Sequence, residues 1–335
     1  MTFGYRFGSE KKAAHVRGKS LLVDKRAQRI THDPEPVTQL LPILPRLLAA
    51  LPLWLLHALG VVVGWTVYLG SRRYRAYLKQ NLAQAGFLDS SCARAAIAEA
   101  GKGVMELPAI WLKKRSRIVA GMREPEGWHL VETELGRGKG LIMLEPHLGC
   151  WEVAAQWFSL RHPITVLYSP PKVGWLEPLM RAGRDREMMK SVPADLTGVR
   201  ALLRALKKGE AIGILPDQVP GEGEGEWVSF FGRPAYTMTL VARLAEKTGA
   251  SVLIGFAERL PRGRGYHIHV ERLPEPFAGE SSVRRMNRAI EALVRRCPAQ
   301  YLWAYNRYKV PAGVQPPETQ DSGTRNQDPA SRNQD

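Results

Sequence analysis

The chain has 335 residues, 44% of them hydrophobic and 8% aromatic, which is enough apolar content for one large folded domain or two smaller ones. Its 48 lysines and arginines against 32 aspartates and glutamates leave a net charge of +16, which favours an anionic partner such as nucleic acid, an anionic membrane or an acidic protein. Three scattered cysteines are too few for a disulfide framework or a zinc site.

The amino-terminal part of the chain contains a basic polar arm followed by an uncharged apolar run. Residues 1–36 form the arm and show no early apolar stretch, so no cleavable signal peptide is predicted. Residues 47–70 lack Asp, Glu, Lys and Arg, and as one helix these 24 residues would extend about 36 Å, enough to cross a hydrocarbon core of about 30 Å. A membrane anchor is therefore predicted within 37–71. Pro52 and His57 leave a monotopic or buried helical hairpin as the alternative to a spanning helix.

A basic segment follows the apolar run directly. Four basic residues precede the next acid, Asp89: Arg72, Arg73, Arg75 and Lys79. Because the cytoplasmic flanks of membrane helices carry an excess of lysine and arginine, this end of the anchor is expected to face the cytoplasm, and the rest of the chain with it.

From about residue 92 to 310, helical periodicity alternates with short apolar runs, and the domain that contains them is predicted to extend over 72–310. The predicted helices lie at 92–106, 127–137, 150–160, 175–189, 198–208, 237–248 and 281–296. The predicted strands lie at 141–144, 164–168, 211–215, 251–256 and 266–270. This alternation predicts an α/β domain with a mostly parallel sheet flanked by helices. The polar segment 311–335 ends on a repeated RNQD and is predicted to be disordered.

The segment EPHLGCWEVAA, residues 145–155, contains the candidate site residues His147 and Glu152. The spacing alone is weak evidence, because His129 and Glu134 repeat it. That second pair lies in a helical pattern, where residues five apart point about 140° away from each other, so we expect it on a solvated helix face.

The context of His147 favours a reactive site. It follows the strand predicted at 141–144, and a turn before a helix starting near Cys150 would bring Glu152 back towards the imidazole. At the carboxyl end of such a strand, a carboxylate on one ring nitrogen would fix the tautomer and make the other nitrogen a better base. The backbone N–H groups of Gly149 and Cys150 would then stabilise an oxyanion. A buried, fully hydrogen-bonded histidine is the alternative.

Other patterns narrow the chemistry. No G-x-S-x-G elbow is present, which excludes the common serine-hydrolase arrangement. His267 and His269 share one face of a strand, but no third ligand is evident, so the sequence predicts no metal site and no cofactor. A base without a protein nucleophile remains, which suits direct transfer of a group from one substrate to another.

Four sequence blocks between about residues 40 and 310 carry a family resemblance. In chain order they are RRYRAYLKQNLAQAGF (72–87), GKGLIMLEPHLGCWE (138–152), GVRALLRALKKGEAIGILPDQ with FFGRPAYT (198–218 and 230–237), and MNRAIEALVRRCPAQYLWAYNRYK (286–309). The chain resembles the lipid A biosynthesis acyltransferases, the late lauroyl and myristoyl transferases of Gram-negative bacteria. The second block matches that family's strand and its His-x4-acid motif.

The resemblance implies an inner-membrane enzyme whose catalytic domain faces the cytoplasm. It would take a fatty acyl chain from acyl carrier protein and transfer it to a hydroxyl of a phosphorylated lipid A precursor. His147 would be the general base and Glu152 its orienting partner. Asp217, Gln218 and Arg233 of the third block are further candidates for the site.

The positive charge fits these partners, because acyl carrier protein is acidic and lipid A precursors carry phosphates. Four basic residues on one predicted helix are candidates for either contact, with a solvated helix face as the alternative: Arg200, Arg204, Lys207 and Lys208.

Two other functions remain as alternatives. A lysophospholipid or mannolipid acyltransferase would share the His-x4-acid motif, and Cys150, which stands where the family commonly has Asn, leaves chain length and acceptor open. A membrane-tethered nucleic-acid-binding protein would share the positive charge. No helix-turn-helix, RNA-binding or zinc pattern supports it, so no nucleic-acid partner is predicted.

Overall fold

The computed structural model describes residues 43–317, apart from 121, 172, 173 and 175. The basic arm predicted for 1–36 and most of the predicted tail lie outside the described residues. Within them, the predicted fold class is confirmed, because helices flank a mostly parallel six-stranded sheet.

Helices and strands alternate through most of the described chain. The α-helices are α1 (Ile43–Ala50), α2 (Leu53–Gly70), α3 (Arg72–Gln84), α4 (Ser90–Leu112), α5 (Arg115–Ile118), α6 (Trp128–Gly136), α7 (Trp151–Phe158), α8 (Leu176–Arg184), α9 (Leu196–Lys207), α10 (Leu240–Thr248) and α11 (Ser282–Arg296). The strands are β1 (Leu141–Leu144), β2 (Ile164–Tyr168), β3 (Met189–Pro193), β4 (Ala211–Ile214), β5 (Gly225–Phe230), β6 (Arg233–Met238), β7 (Ser251–Arg259) and β8 (Tyr266–Arg272).

The main sheet has the strand order β3-β2-β4-β1-β7-β8, and only the β7–β8 pair is antiparallel. Every residue of β1 and β4 is buried, as expected for central strands that helices cover on both faces. These two strands pair with Leu144 opposite Ile214, so the segments that follow them leave the sheet side by side. Sites in open α/β sheets form at this edge.

Several elements differ from the sequence prediction. The helix predicted for 175–189 ends at Arg184, and its last residue already belongs to β3. β5 and β6 form a separate antiparallel hairpin that was not predicted, closed by Phe231 and Gly232, both with positive φ.

The apolar run 47–70 is not one continuous helix. Ala50 ends α1, and α2 starts after Pro52, which has no backbone N–H to continue the helical hydrogen bonding. The 18 residues of α2 extend about 27 Å, and by length and composition this helix could cross a membrane.

One face of α2 packs closely against α4. A Cβ added to Gly101 would lie 1.9 Å from the carbonyl oxygen of Gly60, and one added to Gly64 would lie 2.2 Å from that of Ile97. Only glycine allows the two helix backbones to approach so closely. Other positions along α2 expose large apolar side chains: Trp54, Leu59, Val62, Val67 and Leu69.

Candidate active site

His147 lies in the turn between β1 and α7. The carbonyl oxygen of His147 accepts a hydrogen bond of 3.1 Å from the Leu302 backbone N–H. Two residues on, Gly149 has φ of 63°, and a Cβ there would lie 2.0 Å from the Ala257 carbonyl oxygen, so the turn is pressed against β7. The position of His147 is therefore fixed by two backbone contacts of the turn, one with Leu302 and one with β7.

Asp217, from the segment that follows β4, holds His147 at two points. Its Oδ1 lies 2.7 Å from His147 Nδ1, and its Oδ2 accepts a hydrogen bond of 2.9 Å from the His147 backbone N–H. Burial by itself raises the pKa of Asp217, but the charge and hydrogen bonds of His147 outweigh it and hold that pKa below its ordinary value. An ionised Asp217 therefore keeps the proton of the neutral imidazole on Nδ1.

The other ring nitrogen of His147 contacts Gln218, and both residues line a pocket. Its Nε2 lies 3.2 Å from Gln218 Nε2, and with the proton on Nδ1 it accepts a hydrogen bond from that amide. The pocket is lined by the β4–β5 connection, the β5–β6 hairpin and the carboxyl-terminal segment, including Phe230 and Arg307. The arrangement presents an unprotonated nitrogen, oriented by a carboxylate, to a partly enclosed space.

Glu152 occupies a different environment. In the first turn of α7, its carboxylate binds the Arg184 guanidinium, with Arg184 Nε 3.0 Å from Oε2, and accepts a hydrogen bond of 3.1 Å from Trp111 Nε1. The predicted contact of Glu152 with the imidazole is therefore wrong, because α7 directs this side chain towards α4 and α8. The catalytic role predicted for Glu152 stays a prediction.

Glu145, two residues before His147, is a buried acid that was not predicted as part of the site. Burial raises its pKa to about 8, and the negative charge of Glu152 adds to the effect. This carboxyl group is therefore mostly neutral at pH 7. Strongly shifted pKa values are common at functional sites, and this one lies beside the His147 turn.

Arg259, at the end of β7, supports the same turn. Its Nη2 donates a hydrogen bond of 2.9 Å to the Gly149 carbonyl oxygen, and its guanidinium also binds the buried carboxylate of Glu106. His57 of α2 lies 3.1 Å from the same carboxylate. Burial opposes ionisation of Glu106, but Arg259 and His57 lower its pKa to about 2. A buried ionic network thus joins α2 to the turn that carries His147.

The predicted oxyanion donors are wrong. The Gly149 N–H donates 3.1 Å to the Gln300 carbonyl oxygen, and the Cys150 N–H donates 2.8 Å to the Ala257 carbonyl oxygen. Both groups serve to anchor the turn and have no free hydrogen to offer a substrate.

The basic residues that the sequence suggested for substrate contacts lie on two different elements, β6 and α9. Arg233 begins β6 and stacks 4.7 Å from the ring centre of Tyr308, which lines the pocket. Arg200 and Arg204 are exposed on α9. Because α9 leads into the amino end of β4, its first turns lie nearer the carboxyl edge of the sheet than its last.

The second pair with the same spacing is not a site. His129 is exposed on α6, as predicted, but Glu134 is buried and not on a solvated face. Its carboxylate accepts hydrogen bonds from Ser251 Oγ and Arg137 and pairs with Arg272. The two side chains point apart, as a helical separation of five residues requires.

Comparisons with known proteins agree with the resemblance. The model of the bacterial lipid A biosynthesis acyltransferase family matches residues 25–310. A lipid A biosynthesis lauroyltransferase of Escherichia coli K12 is 28% identical over 222 residues, covering 64% of this chain and 71% of the relative. A palmitoleoyltransferase of the same strain is 26% identical over 212 residues, covering 62% and 68%. A lipid A biosynthesis acyltransferase of Haemophilus influenzae is 28% identical over 199 residues, covering 57% and 58%. The chain belongs to the bacterial lipid A biosynthesis acyltransferase family.

Proposed function

We propose that this acyltransferase moves a fatty acyl chain from an acyl carrier protein thioester to a hydroxyl of a lipid A precursor, with His147 as general base. The observation that carries the proposal is the His147–Asp217 pair beside the pocket, in which Asp217 holds Nδ1 and the Gln218 amide meets Nε2, in a chain of this family. The thioester is already activated, so the protein needs no nucleophile of its own.

In the proposed reaction, His147 Nε2 takes the proton of the acceptor hydroxyl as its oxygen attacks the thioester carbonyl carbon. The tetrahedral intermediate collapses by breaking the carbon–sulfur bond, and the imidazolium gives its proton to the departing thiolate. Asp217 stabilises the positive charge that His147 carries between these two steps. General-base help of this kind contributes about 10²–10⁴ in rate.

The oxyanion of the intermediate needs a donor other than the backbone of the turn. Gln218 is our candidate, because its amide nitrogen lies 3.2 Å from the nitrogen that must meet the acceptor. When a substrate hydroxyl takes its place on Nε2, this amide becomes free to donate to the carbonyl oxygen. Loss of one such donor costs about 10²–10³ in turnover.

We propose that Glu152 is a positioning residue that acts through Arg184. Its carboxylate ties the first turn of α7 to α8 and to Trp111 of α4, and α7 follows directly on the His147 turn. A shift of α7 would move the imidazole relative to the pocket, where a displacement of about 1 Å can cost about 10²-fold in rate.

We propose that Arg200, Arg204 and Arg233 contact the anionic parts of the substrates. Arg200 and Arg204 offer an accessible positive face to the acidic acyl carrier protein. Arg233, held beside the pocket by Tyr308, is placed for a phosphate of the acceptor.

We propose that α2 attaches the protein to the cytoplasmic face of the inner membrane. Five large apolar side chains of α2 are exposed, those of Trp54, Leu59, Val62, Val67 and Leu69. Lys102 of α4 lies against α2, since a Cβ on Gly60 would meet the Lys102 Cα at 2.6 Å, and Glu99 is on the same helix. A spanning α2 would draw these charged residues into hydrocarbon, so we favour the monotopic arrangement. Such a protein should stay with membranes in high salt and carbonate; complete release by salt would show that only charge holds it.

Purified protein given acyl carrier protein thioesters tests the reaction. We expect transfer to a lipid A precursor and not to lysophospholipid; the opposite preference would refute the proposed acceptor and favour the alternative enzyme. His147→Ala should lower turnover by about 10²–10⁴. Asp217→Asn should also cost heavily, because it keeps the size but loses the charge that stabilises the imidazolium.

Two controls separate chemistry from folding. His129→Ala changes the exposed histidine of the matching spacing and should leave turnover near the wild-type value. Thermal melts should show that His147→Ala and Asp217→Asn remain folded. A folded His147→Ala protein with near-normal turnover, or loss of turnover in His129→Ala, would overturn the assignment.

A further inference from the structure

Away from His147, three metal-ligating side chains meet beside the edge strand β8. The ligand atoms of Glu126, His267 and His269 all lie within 4.8 Å of one another. The sequence showed only the two histidines and predicted no metal, because nothing in the pattern identified a third ligand. The fold supplies it from the segment that precedes α6.

Backbone pairing explains why the three side chains share one face. His267 and His269 alternate along β8, so both point to the same side of the sheet. The Glu126 N–H donates a hydrogen bond of 2.9 Å to the Ile268 carbonyl oxygen, and the Val270 N–H donates one of 2.8 Å to the Glu126 carbonyl oxygen. Glu126 therefore pairs with β8 through a single parallel β-bridge. The cluster therefore rests on regular backbone and not on a loose loop.

His269 is the fixed member of the cluster. It is buried and stacked on Phe256, with ring centroids 4.8 Å apart. Its Nδ1 lies 2.8 Å from Glu126 Oε2, and its Nε2 lies 3.2 Å from Glu258 Oε2. A carboxylate on the second nitrogen of a histidine is the usual partner of a metal-binding imidazole, because it fixes the ring and makes it more basic.

The charges around the cluster favour a cation overall. Two carboxylates, those of Glu126 and Glu258, contact the ring of His269, and a third, that of Glu271, pairs with the guanidinium of Arg296. Arg296 opposes a metal, since its Nη2 lies 3.1 Å from His269 Nδ1, but its Nη1 is bound to Glu271 at 3.0 Å. Movement of this exposed-edge side chain towards Glu271 would free Nδ1.

We propose that Glu126, His267 and His269 bind a divalent transition-metal ion, with Zn²⁺ the best match. Two imidazoles and one carboxylate suit zinc, whereas Mg²⁺ and Ca²⁺ prefer oxygen ligands alone. Glu126 is exposed and His267 half-buried, so both can move to the distance of about 2.0–2.2 Å that zinc requires. The ion would tie β8 to the segment before α6.

Zinc titration by calorimetry, on protein purified without a polyhistidine tag, tests the site. Glu126→Gln and His267→Asn change the two least buried ligands, so folding should be preserved. His162→Asn is the matched control, because His162 Nε2 lies 3.0 Å from Glu132 Oε1 without a third ligand among the described residues. His147→Asn is a second control: a loss of zinc affinity in this variant would show that zinc binds at the candidate active site instead.

We expect one saturable Zn²⁺ per chain, with affinity lowered about 10-fold or more by Glu126→Gln and by His267→Asn and unchanged by His162→Asn and His147→Asn. Zinc should also raise the melting temperature of the wild-type chain and of both control variants, but not of the two ligand variants, because it binds only the folded state. Absence of saturable binding, or binding that survives both ligand substitutions, would overturn the proposal.

Discussion

Replacing Glu145 with glutamine is expected to stabilise the protein at neutral and alkaline pH. In the folded chain this carboxyl group has a pKa of about 8, against an ordinary value of 4.5, because it is buried next to the charge of Glu152. Between these two pH values the unfolded chain has lost the proton while the folded chain keeps it. The folded state then binds more protons, so the free energy of unfolding falls as the pH rises. Glutamine has no proton to lose and removes this dependence.

The size of the effect follows from the pKa difference. Each pH unit above 4.5 removes about 1.4 kcal/mol of stability until the folded pKa is reached. Glu145 therefore costs about 3 kcal/mol at pH 7 and about 5 kcal/mol above pH 8, as an upper limit. Below pH 4.5 both states hold the proton and the cost disappears.

Urea unfolding of the wild-type chain and Glu145→Gln at pH 5, 7 and 9 measures this directly. The free energy of unfolding of Glu145→Gln should exceed that of the wild type by an amount that increases between pH 5 and 9. Glu246→Gln, which changes an exposed glutamate of α10, should show no such trend. An equal difference between wild type and Glu145→Gln at all three pH values would refute the argument.

Two further substitutions test the packing around the site. Glu152→Gln leaves the Arg184 guanidinium buried without a counter-charge and should cost about 3–5 kcal/mol of unfolding free energy in urea melts, whereas a cost below about 1 kcal/mol would contradict a buried ion pair. Gly101→Ala should lower the melting temperature sharply, because its Cβ would meet the Gly60 carbonyl oxygen, while Gly70→Ala, with open space at its Cβ, should change it little; equal shifts would contradict the close packing of α2 on α4.

The central part of the fold was predictable because its strands are continuous apolar runs. β1 and β2 have the predicted bounds, and β4 ends one residue earlier than predicted. Strands that are covered on both faces are continuous apolar runs, so the first and last apolar residues mark where they begin and end. β3 was missed because MKSVP is short and partly polar. The break in the apolar run was also missed: Pro52 was noted, but it separates two helices instead of weakening one.

A local sequence pattern could not identify Asp217 as the partner of His147. Asp217 lies 70 residues further along the chain and reaches the ring only because β4 is the neighbour of β1 in the sheet. Periodicity predicts strands but not their order, so Asp217 entered the sequence prediction through the family blocks alone. Glu152 was chosen for its nearness in sequence, and the direction of a side chain on the first turn of α7 depends on what that helix packs against.

The carboxylates of Asp217 and Glu152 have different partners. This difference decides which of the two can stabilise the proposed imidazolium of His147. Glu152 is paired with the Arg184 guanidinium and is directed towards α4 and α8, so its carboxylate does not contact the ring. Asp217 has His147 as the partner of its Oδ1, and a charge that appears on the ring strengthens that contact at 2.7 Å. Loss of Glu152 should also lower the pKa of Glu145, because the charge of Glu152 helps to raise it. In a Glu152→Gln protein that remains folded, the free energy of unfolding should therefore fall less between pH 5 and 9 than in the wild type, whereas Asp217→Asn should lower turnover at every pH. An equal fall in the wild type and in Glu152→Gln would mean that the charge of Glu152 does not act on Glu145.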